Sequence, residues 1–172
     1  MQNIYLVGFM GAGKSVVGQA VARRLGRGFV DLDAVIEARL GMPIREIFAT
    51  SGEAAFRTAE TEELRRTTEV DDLVVATGGG AFSLVENRGL IEQSKGISVY
   101  LDVAWDAIRR RLERDTDDRP KWLDDEQARQ LFEQRRADYL RATIRVELGG
   151  AETPDEVAAR IVGELTETAC AS

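Results

Sequence analysis

The first apolar run of the chain leads directly into a glycine-rich loop, and this junction constrains the fold more than any other stretch. The run Ile4–Val7 is followed by residues 8–15, which fit the pattern G-x-x-x-x-G-K-S at every defined position. In such a loop the backbone N–H groups turn inward around an anion, and the next helix adds its positive N-terminus. The pattern therefore predicts a strand, a phosphate-binding loop and a helix. An ordinary glycine-rich turn is the alternative.

The residue types of the loop indicate which atoms would meet a nucleotide. The Lys14 ammonium group would reach the terminal phosphates, and the Ser15 hydroxyl would ligate Mg²⁺. The residues expected to bind the nucleotide here are Gly11, Ala12, Gly13, Lys14, Ser15 and Val16. The loop alone does not identify the molecule that receives a phosphoryl group.

Length and composition are typical of one soluble domain. The 172 residues, 44% of them hydrophobic, suffice for a core, so we treat residues 1–172 as a single domain and expect a monomer. No run reaches membrane-spanning length, and the N-terminus enters a strand without a signal segment, so we expect a cytoplasmic protein that binds no membrane. The single Cys170 excludes an intramolecular disulfide.

Composition also limits the chemistry. The absence of histidine excludes the usual zinc sites and Ser-His-Asp triads, so acid or base roles must fall to carboxylates. A formal net charge of -7 argues against nucleic-acid binding. Most of the 23 basic residues are arginines, which suit small anions, although a GC-rich genome would produce the same bias.

Five apolar runs separated by helical patterns predict a doubly wound parallel sheet in a three-layer α/β/α fold. The predicted strands are residues 4–7, 29–33, 73–76, 97–101 and 144–148. Helices are predicted from Lys14 to a C-terminal Gly26, over about 104–114 and about 125–142, among others. The predicted helix caps are Ser51, Ser83 with Glu86, and Thr153 with Pro154 and Glu156.

Three separate signals follow the first three predicted strands. They are the phosphate-binding loop, the pair Asp31 and Asp33, and the glycines of residues 78–80. Ligands of such sheets bind beyond the carboxyl ends of the strands. The signals should therefore meet at one edge of the sheet and form a single site.

The two aspartates are candidates for phosphoryl-transfer chemistry. Asp33 could orient or deprotonate an acceptor hydroxyl, and Asp31 could support Mg²⁺ directly or through water. The alternative is that both carboxylates simply cap the next helix.

Two arginines could recognise an acidic acceptor. Arg135 lies inside the apolar face of its predicted helix, whereas Arg136 does not, and an inward-pointing arginine needs an anionic partner. That partner could be an internal carboxylate or one brought by the substrate. Arg57 poses the same question, because Glu60 follows it by three residues.

Two further segments would complete a kinase site. The glycines at 78–80, which include Gly79 and Gly80, would let a small ligand lie against backbone N–H groups, although a tight turn is the alternative. Arg119 lies in a polar stretch that we expect to be a mobile loop, from which it could neutralise the transferred phosphoryl group.

Taken together, the motifs resemble the shikimate kinases, small phosphate-loop enzymes related in architecture to nucleoside monophosphate kinases. The resemblance covers nearly the whole chain and lies in residues 8–15, Asp31 to Asp33, Gly52, Glu53, Phe56, Arg57, Glu60, residues 77–81, Arg119, Pro120, Arg135 and Tyr139. It implies ATP-dependent phosphorylation of the 3-hydroxyl of shikimate in aromatic amino-acid biosynthesis. It also implies a substrate-binding region at about 33–61 and a lid at about 112–125.

The resemblance implies individual roles as well. Shikimate would be held by Asp33, Arg57, Gly79, Gly80 and Arg135, with the arginines on its carboxylate. Lys14 and Arg119 would stabilise the transferred phosphoryl group, and Arg111 would lie against adenine.

The sequence departs from the family in the lid, where residues 121–125 are polar apart from Trp122 and Leu123. The stretch 117–123 also resembles a segment of the gluconate kinases, which share this architecture, so a gluconate kinase is the second hypothesis. A catalytically silent nucleotide-binding module is the third. Such a module would not need Asp33, Arg57, Arg119 and Arg135, all of which are present.

Overall fold

In the computed structural model, which describes residues 2–114 and 124–170, the five predicted strands form one parallel sheet. The strands are β1 (Ile4–Val7), β2 (Gly28–Asp31), β3 (Leu73–Ala76), β4 (Ile97–Val103) and β5 (Ile144–Leu148). Their order across the sheet is β2-β3-β1-β4-β5. The expectation of a five-stranded parallel α/β fold is confirmed.

Helices connect the strands and cover both faces of the sheet. The described helices are α1 (Lys14–Leu25), α2 (Leu32–Leu40), α3 (Ile44–Thr67), α4 (Val85–Gln93), α5 (Trp105–Arg114), α6 (Asp125–Tyr139) and α7 (Pro154–Cys170), with a 3-10 turn over Ala81–Ser83. None of them, within the described ranges, combines the length and apolar composition that a membrane span requires.

The side chains of the central strand β1 show which helix covers each face of the sheet. All four of its residues are buried, and successive side chains point to opposite faces. Leu6 lies against Gly18 of α1, whereas the Tyr5 hydroxyl accepts a hydrogen bond from Thr67 of α3 at 3.4 Å. Helices α1 and α3 therefore cover opposite faces, and α7 packs against α1.

The prediction that the second strand continues to Asp33 is wrong. Strand β2 ends at Asp31, whose carboxylate accepts hydrogen bonds from the backbone N–H groups of Asp33 and Ala34. This cap starts α2 immediately and places Asp33 in its first turn. Asp31 therefore has the capping role, whereas Asp33 does not.

Several helix ends in the structure also differ from the sequence prediction. The predicted capping box of Ser83 and Glu86 is wrong, because helix α4 begins after Leu84. Ser83 Oγ is buried without a hydrogen-bond partner among the described residues, and Glu86 pairs with Arg65 instead. The segment Ile44–Thr67 consists of two helical stretches that meet at a kink at Gly52 (φ 80°), so a new helical stretch does begin where the sequence predicts one. The Ser51 hydroxyl contacts Thr50 Oγ1 at 3.4 Å, and among the described residues it does not form the predicted cap. Helix α6 ends at Tyr139 rather than at 142.

Other helix ends follow the sequence prediction. Gly26 ends α1 in the left-handed conformation. At the start of α7, the Thr153 hydroxyl accepts from the Glu156 N–H, and the Glu156 carboxylate accepts from the Thr153 N–H. Both ends depend only on residues close in sequence.

A buried asparagine joins the end of α3 to the sheet. Asn3 Nδ2 donates to the carbonyls of Thr67 (2.8 Å) and Val70 (2.6 Å), and its Oδ1 accepts from the Leu73 N–H (2.9 Å). The side chain thus satisfies three backbone groups where α3 turns into β3.

We predict that Asn3→Ala lowers the free energy of unfolding by about 2 kcal/mol or more, because it leaves buried backbone groups without partners. Urea denaturation would measure the change. Gln2→Ala, at the exposed neighbouring position, is the control and should differ from the parent by less than about 0.5 kcal/mol. An Asn3→Ala protein as stable as this control would contradict the assigned contacts.

Candidate active site

The phosphate-binding loop lies between β1 and α1. Gly8, Gly11 and Gly13 have φ angles of 146°, 74° and 89°, which residues with side chains rarely adopt. Gly13 precedes the first residue of α1, so the N-terminal N–H groups of that helix face the loop. Within the loop Ala12 is buried, whereas Ser15 and Val16 are exposed in the first turn of α1. The predicted loop geometry for holding an anion is therefore present.

Lys14 turns back over this loop. Its Nζ donates to the carbonyls of Gly8 (2.8 Å) and Phe9 (3.0 Å). Burial lowers the pKa of Lys14 to about 8, although the nearby carboxylates of Asp33 and Asp31 oppose the shift. The ammonium group is thus positioned beside the loop and close to both aspartates.

Ser15 and Asp31 form the pair of oxygens predicted to bind a metal. Ser15 Oγ donates to Asp31 Oδ2 at 2.5 Å, while Asp31 Oδ1 caps α2. A hydroxyl and a carboxylate are ligands suited to Mg²⁺, which takes few protein ligands and retains water or phosphate oxygens. The donor set therefore fits this ion.

Asp33 and Glu60 meet at Gly78. A Cβ atom added to Gly78 would lie 2.2 Å from Glu60 Oε1 and 2.9 Å from Asp33 Oδ1. Both oxygens are buried and have no hydrogen-bond partner among the described residues. Burial raises the pKa of Asp33 to about 6, and the nearby charge of Lys14 opposes this shift. Burial also raises the pKa of Glu60, and Arg57 opposes that shift.

Arg57 has internal partners on two sides. Its guanidinium group pairs with Glu60 Oε2 (2.6 Å) and with Glu53 Oε1 (3.2 Å). The same group lies directly against Gly80, where an added Cβ would come within 2.4 Å of Arg57 Nη2. Arg57 therefore has the internal carboxylate partners that the sequence offers as one alternative. Because it also lies against Gly80, it remains available to a ligand at the glycine loop.

Arg135 approaches the same loop from α6. Its guanidinium carbon lies 6.0 Å from the centre of the Phe9 ring, and its Nη1 would be 3.6 Å from a Cβ on Gly79. The Tyr139 hydroxyl, one turn later, donates to the Gly79 carbonyl. Arg136 instead pairs with Asp102 of β4, so the two arginines have different partners, but Arg136 also points toward the sheet and both residues are half-buried.

Arg111 contacts the outer side of the phosphate-binding loop. It donates to the carbonyls of Gly11 (2.9 Å) and Gly150 (3.2 Å), and thereby joins α5 to the loop and to the segment after β5. Arg119 lies outside the described residues, as does most of the predicted lid.

The three signals expected at one edge of the sheet do meet there. An added Cβ on Gly79 would lie 3.3 Å from the Met10 N atom of the phosphate-binding loop, and Gly78 touches Asp33. Glu60, which is 0% exposed, has no role of its own in the sequence prediction, where it is one of the residues of the resemblance and a neighbour of Arg57. Its position beside the buried residues Phe56, Ala59 and Leu64 was the available signal.

Comparison with known proteins identifies the family. The family model described as shikimate kinase matches residues 10–166. The shikimate kinase of Prochlorococcus marinus (strain MIT 9313) is 44% identical over 96% of this chain and 86% of its own length. The chain belongs to the shikimate kinase family. The shikimate kinase of Sulfurihydrogenibium sp. (strain YO3AOP1) is 40% identical over 96% of the chain and 98% of the relative.

Solved structures of shikimate kinases share the whole fold. The enzyme from Acinetobacter baumannii, solved in complex with shikimate, has a TM-score of 0.91 and 37% identity, covering 98% of this chain and 94% of that one. A gluconokinase from Sinorhizobium meliloti has a TM-score of 0.55 and 20% identity over 97% of both chains, and shows a common fold alone. Family membership makes this protein an ATP-dependent kinase and favours the first hypothesis over the gluconate kinase.

We predict that Gly78→Ala lowers the free energy of unfolding by about 2 kcal/mol, because the added methyl group displaces the buried Glu60 and Asp33 carboxylates. Urea denaturation would measure it. Gly89→Ala is the matched control, since its methyl group would meet only Gln93 Nε2 at 3.8 Å and alanine favours the helix. Equal stability of the two variants would contradict the close approach at Gly78.

Proposed function

We propose that this protein transfers the γ-phosphoryl group of ATP to the 3-hydroxyl of shikimate, giving shikimate 3-phosphate. The observation that carries the proposal is the meeting of Asp33, Arg57 and Arg135 at residues 78–80, beside the Lys14 ammonium group. This arrangement offers a carboxylate for a hydroxyl and two guanidinium groups for an acid. The solved A. baumannii relative in complex with shikimate adds support.

The acceptor's carboxylate would be bound by Arg57 and Arg135, because guanidinium groups pair with carboxylates through two parallel hydrogen bonds. Glu60 would keep Arg57 oriented from behind. The backbone at Gly79 and Gly80 would pack against the acceptor, since neither residue has a side chain that would intervene. We assign acceptor recognition to these residues and to the region at about 33–61.

Asp33 would orient the acceptor hydroxyl and accept its proton as the new P–O bond forms. Lys14 would leave the Gly8 and Phe9 carbonyls and donate to the phosphates, where its charge stabilises the transferred group. We keep Arg119 in the same stabilising role as a prediction, as we do the lid at about 112–125.

The nucleotide would lie along the phosphate-binding loop. Backbone N–H groups from Gly11 to Val16 would surround its phosphates, and Arg111 would lie against adenine. Ser15 would bind Mg²⁺, and Asp31 would do so directly or through water. When bound, this ion would supply positive charge that neutralises the phosphates of the nucleotide.

The remaining expectations stay predictions: a monomer located in the cytoplasm that binds neither nucleic acid nor membranes. A catalytically silent module is disfavoured because acceptor-side groups such as Asp33, Arg57 and Arg135 lie together in the described structure. Measurable turnover would distinguish an active kinase from a silent nucleotide-binding module.

We predict ADP release that depends on shikimate when the full chain is supplied with ATP and Mg²⁺. A coupled assay would compare shikimate with gluconate and with nucleoside monophosphates at equal concentrations. Shikimate should be the preferred acceptor, because the chain belongs to the shikimate kinase family and nucleoside monophosphates lack the carboxylate that Arg57 and Arg135 would bind. Turnover at the level of the acceptor-free control would refute the proposal.

We further predict that Arg57→Ala and Arg135→Ala each raise the KM for shikimate by about tenfold to a hundredfold, because each removes a charged hydrogen-bonding partner. Binding of ATP should change by less than about twofold, since neither residue is assigned to the nucleotide. Arg24→Ala, which removes an exposed arginine from the far end of α1, is the charge-matched control. An equal loss of affinity for both substrates would contradict these roles.

A further inference from the structure

Asp102, near the end of β4, joins three side chains that the phosphate-transfer site does not use. Its Oδ1 accepts from the Tyr100 hydroxyl at 2.9 Å. Its Oδ2 accepts from Arg136 at 3.1 Å and from Arg145 at 2.6 Å. The carboxylate is only 9% exposed, so it depends on these partners for its charge to be tolerated.

Among these partners, Arg136 alone belongs to α6. Tyr100 lies in β4 and Arg145 in β5, so their contacts stay within the sheet. The Arg136 contact instead joins the last turn of α6 to the sheet. Because consecutive helical residues differ in direction by about 100°, fixing the direction of Arg136 also fixes that of Arg135.

The other side of this turn contacts the glycine loop. The Tyr139 hydroxyl donates to the Gly79 carbonyl, and the Tyr139 ring lies 5.2 Å from the ring of Tyr100. Asp138 pairs with Arg88 at 3.3 Å, and Arg88 also donates to the carbonyls of Phe82 and Ser83. The last turn of α6 therefore lies between Asp102 and the loop at residues 78–83.

We propose that Asp102 is a positioning residue for the acidic acceptor, acting through Arg136 to set the direction of Arg135. The proposal rests on the proposed function, in which Arg135 binds the acceptor's carboxylate. A small rotation of the last turn of α6 would move the Arg135 guanidinium group away from Gly79. Recognition of the carboxylate would then weaken, while the phosphate-binding loop and Asp33, which lie on other elements, would stay in place.

Asp102 provides its own matched pair of variants. Arg136 and Arg145 donate to the same oxygen and have similarly exposed side chains, 34% and 41%. Arg145 also pairs with Glu147 at 2.8 Å, so the two losses can differ in stability. If the ion pairs served stability alone, removing either guanidinium group would leave the KM for shikimate unchanged. If Asp102 positions Arg135, only the loss of Arg136 should alter acceptor recognition.

The experiment compares Arg136→Met with Arg145→Met in the full chain, measuring kcat, the KM for shikimate, the KM for ATP and urea stability. We expect Arg136→Met to raise the KM for shikimate by about fivefold, with kcat and the KM for ATP within about twofold of the parent. Arg145→Met should leave all three within about twofold. Arg136→Lys, which keeps a cation at this position, should recover part of the loss.

A double-mutant cycle tests whether the effect passes through Arg135. In an Arg135→Ala background, Arg136→Met should cause no further loss of kcat/KM for shikimate, because the group that it positions is gone. Additive losses would overturn the proposal, as would equal KM changes in Arg136→Met and Arg145→Met or no change in either.

The activity of the parent protein distinguishes failure of the proposed function from failure of the positioning role. If the parent does not phosphorylate shikimate, the proposed function is wrong and this proposal falls with it. If the parent is active but the two methionine variants behave alike, the positioning role is wrong and the proposed function stands. Asp102→Asn should reproduce the rise in KM for shikimate, because it removes the charge that fixes Arg136. A parent-like KM for Asp102→Asn would count against the role of Asp102 itself.

Discussion

The mutual compensation of buried charges around Gly78 is the constraint on which the site depends. Asp33 and Glu60 lie against this glycine, and a buried carboxylate is tolerated only where cations or donors offset the loss of water. Lys14 and Arg57 supply part of that compensation, and Arg135 contributes to it. The group reaches this density because residue 78 has no side chain. A site with this many fixed charges is arranged before any substrate arrives.

The same burial changes how these groups ionise. It lowers the pKa of Lys14 to about 8 and raises that of Asp33 to about 6, so each shift acts against the charged form. The mutual attraction of the ammonium group and the carboxylate limits both shifts. A phosphate bound beside Lys14 would favour its charged form further. The groups proposed to stabilise phosphate and to accept a proton are therefore electrostatically coupled.

The proposed recognition of the acceptor combines elements that are far apart in sequence. Arg57 comes from α3 and Arg135 from α6, and they approach neighbouring glycines, Gly80 and Gly79. The loop holding those glycines is supported in turn by Tyr139 and Arg88. Asp102 extends this support into the sheet through Arg136. The proposed specificity for an acidic acceptor thus depends on how α6 packs as well as on the two arginines themselves.

Sequence alone determined the features that local chemistry controls. The glycine loop at residues 8–15, the apolar strands and the Thr153 cap follow from neighbouring residues, so their patterns could be interpreted directly. Tertiary structure decided which polar groups are buried and with whom they pair. Ser83 does not cap α4, because the helix starts after Leu84 and Arg65 binds Glu86. Glu60 and Asp102 matter because packing removes both carboxylates from water. The identity of a charged residue does not show whether its side chain is exposed or buried, because burial depends on contacts with residues that are far away in the sequence.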